Sequence, residues 1–292
     1  MIQLLPHNTI DKLKWDACVA NSVHAEVYAY SWYLDAVSPG WSALVKNDYE
    51  YIMPLPVKRV YGFTYIVQPP FCQKLGIFSH LPLSHEIISQ FTKYCKRYFS
   101  IRYSSYHSLL FSQVNEEPNY VIDLSQEYSK IKTKFNKNCL RNCKKAHSEI
   151  QGIEFISPDN FLDFFRTTLI YSIPKSYHLS MAHLVQILHK NDKLQCLAAY
   201  SDDNIVAAVA YIVTETKVYY FLAGSNEDGK EKKAMFLLVQ SCIESHAGTP
   251  KQFDFEGSRI PGVAQFYKGF GAVNEPYFLS EYTKIPFLHK IF

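Results

Sequence analysis

The sequence predicts an α+β protein in which one arrangement of strands and helices occurs twice. The second half shows it clearly, because apolar, β-branched runs at 194–200, 205–213 and 218–223 are separated by short polar turns, as in an antiparallel meander. A polar loop at 224–229, a helix from Ala234 and a strand at 252–255 follow. A short helix at 263–270, ended by Gly271, and a last strand at 276–282 complete this half.

The first half repeats the same order more faintly. Predicted strands at 42–46, 49–55 and 63–68 precede a loop rich in proline and glycine, a helix at 84–98 capped by Ser84, and a strand at 101–106. Two copies of one unit explain this repetition most simply. We therefore predict an N-terminal domain of residues 1–118 and a C-terminal domain of residues 119–292, each a mostly antiparallel sheet flanked by helices.

Composition excludes several classes of protein. The 292 residues are 48% hydrophobic and 20% charged, which is typical of a folded globular chain, and the net charge of +3 argues against a protein that coats DNA or RNA. The chain contains no apolar run of eighteen residues and no signal-peptide pattern at its start. Seven scattered cysteines fit reduced thiols better than a disulfide framework, so we expect a cytoplasmic protein.

Motifs for metal binding and nucleophilic catalysis are missing. The sequence has no CxxC, HExxH, GxSxG, P-loop or GxGxxG motif. Cys139, Cys143 and His147 share a helical spacing and form a conceivable metal trio, but a buried stripe of small thiols is the favoured interpretation. We therefore predict no metal site.

The segment 128–148 contains no acidic residue and carries two stripes. Apolar residues from Tyr128 to Ala146 recur every three or four positions, and a basic stripe runs two positions further on, nearly opposite on a helix. The basic stripe comprises Lys130, Lys134, Lys137, Arg141 and Lys144. It is either a solvated outer face or a surface for an anionic partner such as a phosphate or an RNA backbone. Asn136 and Asn138 are weak helix formers and predict two helices rather than one.

Several local strings resemble the FemAB-like branch of the GNAT superfamily, which includes Fem peptidyltransferases and acyltransferases often labelled BioF2-like. These strings are PLPVKR at 54–59, QPPFCQKLGIFS at 68–79, NCLRNCKKA at 138–146 and, most specifically, FDFEGSRIPGVAQFYKGFGA at 253–272. The resemblance implies two tandem GNAT-like domains. It also implies transfer of an aminoacyl or acyl group, with aminoacyl-tRNA or acyl-CoA as donor. The helical arm that some Fem proteins insert is missing here.

The chain departs from the family at two positions. Leu140 stands where members commonly have the first arginine of an Arg-Arg-Asn or Arg-x-Asn pattern, so only Arg141 and Asn142 remain. The loop that holds pyrophosphate in an acetyl-CoA enzyme reads NEDGKEKKA at 226–234. It keeps Gly229, but Glu227, Asp228 and Glu231 place negative charge where phosphates would lie, which argues against standard acetyl-CoA binding.

Acyl transfer to an amine requires a neutral amine, a polarised carbonyl and both groups held together. Lys268 is the candidate for stabilising the acyl oxygen, Asp254 or Glu256 for accepting the amine proton, and Tyr267 for donating to the carbonyl. The substrate-binding candidates are Lys58, Arg59, Gln73, Lys137, Arg141, Lys144 and Ser258. Each candidate also has a structural interpretation. Lys268 is then a solvent-facing lysine, Asp254 or Glu256 forms an ion pair with Arg259, and Tyr267 packs. The substrate-binding candidates then belong to an ordinary surface.

Three functions remain open at this stage. The first is an N-acyltransferase of FemAB-like type, with a small-molecule or nucleotide-linked acceptor bound in a cleft between the domains. The second is an aminoacyl-tRNA-dependent peptidyltransferase acting on a cell-wall precursor, for which tRNA would be a partner. The third is a non-catalytic binding module on a GNAT scaffold. DNA is expected as a partner of none of them.

Overall fold

In the computed structural model the chain divides into two units. The structure describes residues 1–111, 113–169 and 175–285, with the backbone alone for residues 175 and 176. Unit 1 comprises residues 1–117 and the segment from Pro276 onward, and unit 2 comprises Pro118–Glu275. The change of unit at Pro118 lies at the boundary chosen from the sequence, but the C-terminal segment belongs to the first unit instead of the second.

Strands and helices alternate irregularly in the first 117 residues. In chain order they are β1 (Ile2–Leu5), α1 (Lys12–Ala20), α2 (Ser31–Val37), β2 (Ser42–Lys46), β3 (Tyr51–Leu55), β4 (Val57–Val60), β5 (Phe63–Val67), α3 (His85–Cys95), β6 (Ser100–Ser105) and β7 (Gln113–Glu117). Ser84 caps α3 as predicted, since its hydroxyl accepts a hydrogen bond from the Ile87 amide.

The rest of the chain contains the longer strands. In order its elements are β8 (Tyr120–Asp123), α4 (Tyr128–Lys132), α5 (Lys137–Glu149), β9 (Gly152–Phe155), α6 (Pro158–Thr168), α7 (Lys175–Lys190), β10 (Leu194–Ser201), β11 (Asn204–Val213), β12 (Lys217–Ser225), α8 (Glu227–Glu231), α9 (Ala234–His246), β13 (Gln252–Asp254), α10 (Pro261–Gly269), β14 (Val273–Asn274) and β15 (Tyr277–Thr283). The break between α4 and α5 confirms the prediction of two helices.

Unit 1 contains two sheets. The smaller has the order β1-β2-β3 and is antiparallel, and the larger has the order β4-β5-β6-β15-β7. The prediction of one meander over 42–68 is therefore wrong, because β2 and β3 belong to the first sheet and β5 to the second. The last strand was expected in the second domain, but β15 pairs with β6 and β7 of unit 1, through register partners such as Tyr282 and Ile101.

Unit 2 contains one sheet in the order β14-β8-β13-β12-β11-β10-β9. All of its neighbouring strands are antiparallel except β12 and β13, which are parallel and connected through α9. In the same way, α3 connects the parallel strands β5 and β6 of unit 1. Each unit thus has a mostly antiparallel sheet with one parallel strand–helix–strand connection, and the predicted fold class is confirmed.

Helix α9 is buried on nearly every side, because it lies between the sheet and α5. Its buried residues are Ala234, Leu237, Leu238, Val239, Gln240, Cys242 and Ile243. Helix α5 covers α9 with Cys139, Cys143 and Ala146, and the Cys143 thiol lies 3.9 Å from the Phe236 carbonyl oxygen. This packing confirms the buried thiol stripe and directs the opposite, basic face of α5 to solvent.

Gly229 of α8 is a position where the backbones of two elements approach closely. A Cβ atom added there would lie 2.1 Å from the carbonyl oxygen of Val206 in β11. We expect Gly229→Ala to lower the free energy of unfolding by about 1–3 kcal/mol, since backbone atoms must move to relieve the clash. Gly152→Ala is the matched control, because nothing lies within 4 Å of its Cβ position. Stability is measured by urea denaturation, and equal midpoints for the two variants would contradict this prediction.

Candidate functional site

Unit 2 contains a cavity of about 380 Å³ at the place where the pairing of β12 with β13 ends. The parallel register joins residues 217–219 of β12 to residues 252–254 of β13, after which β13 stops and β12 continues to Ser225. Tyr220 and Ser225, both beyond the paired residues, line the cavity together with residues of α9 and α10. The unequal lengths of two parallel strands thus position this site.

The N-terminus of α9 borders the cavity and makes it electropositive. Lys233, the N-cap residue, has a left-handed backbone with φ of 59° and makes no side-chain capping bond. Lys230 and Lys233 both line the cavity. Because the amide groups of a helix N-terminus carry partial positive charge, this edge suits a phosphate or another anion.

The acidic residues of the preceding loop are neutralised by neighbouring lysines. The Lys230 ammonium lies 2.6 Å from a Glu227 carboxylate oxygen, and the Lys232 ammonium lies 2.9 Å from Asp228. The Asn226 side chain accepts a hydrogen bond from the Gly229 amide and so starts α8. The sequence-based expectation counted Glu227, Asp228 and Glu231 as negative charge facing the phosphates. It overlooked the pairs of Glu227 and Asp228, each within one helical turn, while Glu231 is exposed.

Aromatic residues form the apolar wall of the cavity. Tyr220, Phe236, Phe266 and Tyr267 line it, with ring centroids 4.8 Å apart for Phe236 and Phe266 and 5.9 Å apart for Tyr220 and Tyr267. Burial raises the pKa of Tyr267, and the nearby Glu256 carboxylate raises it further. Tyr267 therefore keeps its proton at neutral pH and can act as a hydrogen-bond donor.

The acidic turn after β13 has a structural partner in β12. Asp254 is fully buried, accepts a hydrogen bond from the Glu256 amide at 2.8 Å, and lies 3.7 Å from the Lys217 ammonium. Glu256 is partly buried with φ of 58°, and the Ser258 hydroxyl oxygen accepts a hydrogen bond from the Ile260 amide. These contacts hold the path from β13 into α10.

Lys268 and Tyr267 are neighbours in sequence with different surroundings. Tyr267 is buried in the cavity wall, whereas Lys268 is exposed, and its ammonium lies 5.4 Å from the centre of the Tyr120 ring. The Tyr120 and Tyr267 rings are 6.0 Å apart. Lys268 therefore lies beside the aromatic wall through Tyr120 and does not itself line the cavity.

The two glycines after Lys268 lie where α10 meets the start of α5, and Gly271 is required for this packing. The carbonyl oxygen of Gly269 accepts a hydrogen bond from the Asn136 amide at 2.9 Å, where α5 begins. Gly271 has φ of 75°, and a Cβ atom there would lie 2.6 Å from Cβ of Lys134. The string at 266–271 thus joins α10 to the start of α5.

The basic residues of α5 and the preceding turn face solvent. Lys134, Lys137, Arg141 and Lys144 are exposed, and Arg141 donates a hydrogen bond to Asn138 at 2.6 Å. His147 is exposed while Cys139 and Cys143 are buried. In the described part of the chain, no group of three or more His, Cys, Asp or Glu residues could hold a metal ion.

Unit 1 contains the remaining predicted residues. Lys58 and Arg59 are exposed neighbours in β4, so their side chains leave opposite faces of the sheet. Lys58 lines a second cavity, of about 280 Å³, together with Tyr65 and Arg102. Gln73 is partly buried in the loop beside Lys74, whose ammonium is fully buried 3.8 Å from Glu26.

Sequence reasoning missed the cavity residues Tyr220, Lys230, Lys233 and Phe236. The spacing of the lysines after Glu227 and Asp228 was an available signal, whereas Tyr220 of β12 and Phe236 of α9 join the site only through tertiary packing. Over the described ranges, no helix is both long and apolar enough to cross a membrane.

Comparison with known proteins gives the site a family context. The family model described as an acetyltransferase (GNAT) domain matches residues 171–268, a segment that includes every cavity residue named above. This segment is similar to a GNAT acetyltransferase domain. No curated protein matches the sequence significantly.

Solved structures extend the likeness to both units. The crystal structure of FemX has a TM-score of 0.70 at 11% identity, over 99% of both chains. A tandem GNAT protein from the clavulanic acid biosynthesis pathway has a TM-score of 0.54 at 7% identity, over 96% of this chain and 97% of that one. The structure of L-PGS from Bacillus licheniformis has a TM-score of 0.53 at 12% identity, over 94% of this chain and 92% of that one. These likenesses confirm the predicted tandem GNAT-like fold, and FemX is among the proteins that share it.

The buried contact between Asp254 and Lys217 leads to a testable expectation. Asp254→Asn keeps an acceptor for the Glu256 amide but removes the charge that faces Lys217. We expect the free energy of unfolding to fall by about 1–3 kcal/mol, because a largely buried ammonium loses its counterion. Asp163→Asn is the control, since its pair with Arg166 is exposed and contributes little. Equal chemical denaturation curves for wild type and Asp254→Asn would rule out this role.

Proposed function

We propose that this protein is an N-acyltransferase whose acyl donor binds in the cavity beside β12, α9 and α10. One observation carries the proposal: a cavity with an apolar wall and an electropositive edge lies within the segment that matches the GNAT domain. A donor for such a site combines an acyl group with phosphates. The acceptor is an amine whose nitrogen attacks the acyl carbon. The bond from that carbon to the donor's leaving group then breaks, the leaving group departs with the electron pair and takes up a proton, and the amine nitrogen loses one proton.

The cavity lining favours acyl-CoA as the donor class. The N-terminus of α9 and the ammonium of Lys233 supply positive charge for the phosphates of the donor. Met235, Phe236, Val263 and Phe266 offer an apolar surface for the acyl chain. Among the described residues that line the cavity none carries a carboxylate, so the α-ammonium of an aminoacyl group would lack a counterion there.

The proposal gives the residues around α10 distinct roles. Tyr267 donates a hydrogen bond to the acyl carbonyl, and Lys268 stabilises the negative charge that develops on its oxygen. Glu256, which raises the pKa of Tyr267 by its proximity, accepts the amine proton. Asp254 supports the turn through Lys217, and Ser258 contacts substrate. Lys58, Arg59 and Gln73 of unit 1 remain candidates for binding the acceptor.

A ligand panel tests the donor class. Acetyl-CoA, butyryl-CoA, octanoyl-CoA, nucleotide sugars and tRNA are compared by thermal shift and calorimetric titration. A true donor at a hundred times its Kd raises stability by about 2.7 kcal/mol. We expect an acyl-CoA to give this shift and Lys233→Gln to weaken its binding roughly tenfold, because one charge-assisted contact is lost.

Lys193→Gln is the matched control for this titration, since Lys193 is a surface lysine paired with Glu215. It should bind acyl-CoA like the wild type. Absence of binding by every acyl-CoA would contradict the proposed donor, and equal weakening by both variants would place the phosphates elsewhere.

An aminoacyl-tRNA-dependent transferase is the second candidate, and the basic stripe favours it. Lys134, Lys137, Arg141 and Lys144 are exposed along one side of the α5 region, as a surface for an RNA backbone requires. The tRNA arm of the panel separates the two candidates, because tRNA bound by these side chains must dissociate steeply with rising salt.

Lys268→Met tests the proposed stabilisation of the acyl oxygen. Once the panel supplies a donor, we expect kcat to fall about 10²–10³-fold, as is typical for loss of one preorganised oxyanion donor. The melting temperature should change little, since the side chain is exposed. Lys190→Met removes an exposed lysine at the end of α7 and should keep full turnover. Full turnover in Lys268→Met would instead leave Lys268 as a surface residue.

A further inference from the structure

The hairpin of β4 and β5 in unit 1 presents an exposed apolar tip. We use the term hairpin tip for residues 60–63. Val60 is 39% exposed, Tyr61 is 96% exposed and Phe63 is 49% exposed. Val60 and Phe63 are register partners, so a two-residue turn of Tyr61 and Gly62 closes the hairpin. Apolar side chains of this size gathered at a projecting turn are a typical feature of contact surfaces.

Folding does not explain a tyrosine at the first turn position. Tyr61 and Gly62 have φ of 49° and 79°, the conformation of a type I′ turn, for which Asn-Gly is the preferred sequence. A bulky residue with positive φ is strained, and the Tyr61 side chain recovers little by packing because it is almost wholly exposed. Stability alone would select asparagine at this position.

Cations surround the hairpin tip. Between Glu50 and Glu116 the sequence carries one carboxylate, Glu86, against seven lysines and arginines. Lys58 and Arg59 of β4 are exposed, and so are Lys96 and Arg97. Lys74 is buried beside Glu26 and Arg102 pairs with Glu281, so the other lysines and arginines give this part of the chain its positive charge.

Contacts and strand pairing place Lys58, Arg59 and Arg97 at the same end of the sheet as the apolar residues. The Phe63 and Phe99 rings are 4.5 Å apart, and the Phe99 amide donates to the Thr64 carbonyl. Lys284 donates from its backbone amide to the Phe99 carbonyl and from its side chain to the Arg97 carbonyl at 2.8 Å. The next residue, Ile285, is 44% exposed.

We propose that this end of unit 1 docks on an anionic lipid bilayer, with the hairpin tip in the interfacial layer and the surrounding cations on the headgroups. Aromatic residues prefer the interfacial region, and lysines and arginines near it are attracted by anionic lipids. A second copy of the chain would bring like charges together. The aliphatic side chains of Val60 and Ile285 favour lipid over a nucleic-acid strand, which calls for aromatic stacking platforms.

The test is co-sedimentation of the full chain with sonicated vesicles. Vesicles of phosphatidylcholine with about 30% phosphatidylglycerol are compared with phosphatidylcholine alone at physiological salt. We expect binding to the anionic vesicles only. Replacing Lys58 and Arg59 together by glutamine should weaken it about 30-fold, and Tyr61→Asn or Phe63→Thr should weaken it roughly tenfold each.

Tyr61→Asn also separates the docking role from a structural one. Because Asn-Gly suits the turn, this variant should melt no lower than the wild type while losing vesicle affinity. Phe155→Thr is the matched control, as Phe155 is 72% exposed in β9 of unit 2. Absence of wild-type binding, equal binding to both vesicle types, or unchanged binding by the Tyr61 and Phe63 variants would overturn the proposal. Concentration-dependent dimerisation or tRNA binding that Tyr61→Asn abolishes would overturn it too, in favour of those partners.

Discussion

The candidate site of unit 2 depends on the short parallel pairing between β12 and β13. After Tyr219 and Asp254 the two strands no longer form a ladder, because β13 ends and its chain turns through Glu256 while β12 continues. Everything that gives the site its chemistry borders this interruption: Tyr220, the N-terminus of α9 and the first turns of α10. The buried Lys217–Asp254 contact joins the first paired residue of β12 to the last paired residue of β13, next to the point where the strands diverge.

Burial of α9 on both sides serves the same site. A helix terminus stabilises an anion only while its amide groups keep a fixed direction, and α9 is held by the sheet beneath it and by α5 above it. The contact of Gly269 with the start of α5 extends this support to α10. The string at 266–271 around Lys268 therefore has a packing explanation that is independent of catalysis.

The sequence predicted elements well where the signal was local. The strands at 194–200, 205–213 and 218–223 agree with β10, β11 and β12 to within a few residues, because continuous apolar runs between polar turns have few alternatives. The strand at 276–282 was predicted correctly, but the sheet to which it belongs was not. It pairs with β6, through register partners such as Tyr282 and Ile101, and these residues are separated by most of the chain.

The candidate site was likewise predictable from local signals and not from contacts between distant residues. Tyr267 could be predicted from the string 253–272, whereas Tyr220 of β12 and Phe236 of α9 reach the site only through the packing of elements that are distant in sequence. The Lys217 partner of Asp254 lies far away in sequence and could not be inferred from it. The pairing of Glu227 and Asp228 with lysines one helical turn later was within reach of spacing rules, and its omission overstated the negative charge of the loop.

The position of β15 bears on the order in which the protein forms during synthesis. All of unit 2 is complete once Glu275 has emerged from the ribosome, whereas the larger sheet of unit 1 still lacks the strand that lies between β6 and β7. Until then two inner edges remain open, and open edges invite pairing with other chains. The nascent chain must therefore protect an unfinished sheet while the entire inserted unit is made, and the seven residues of β15 close it last.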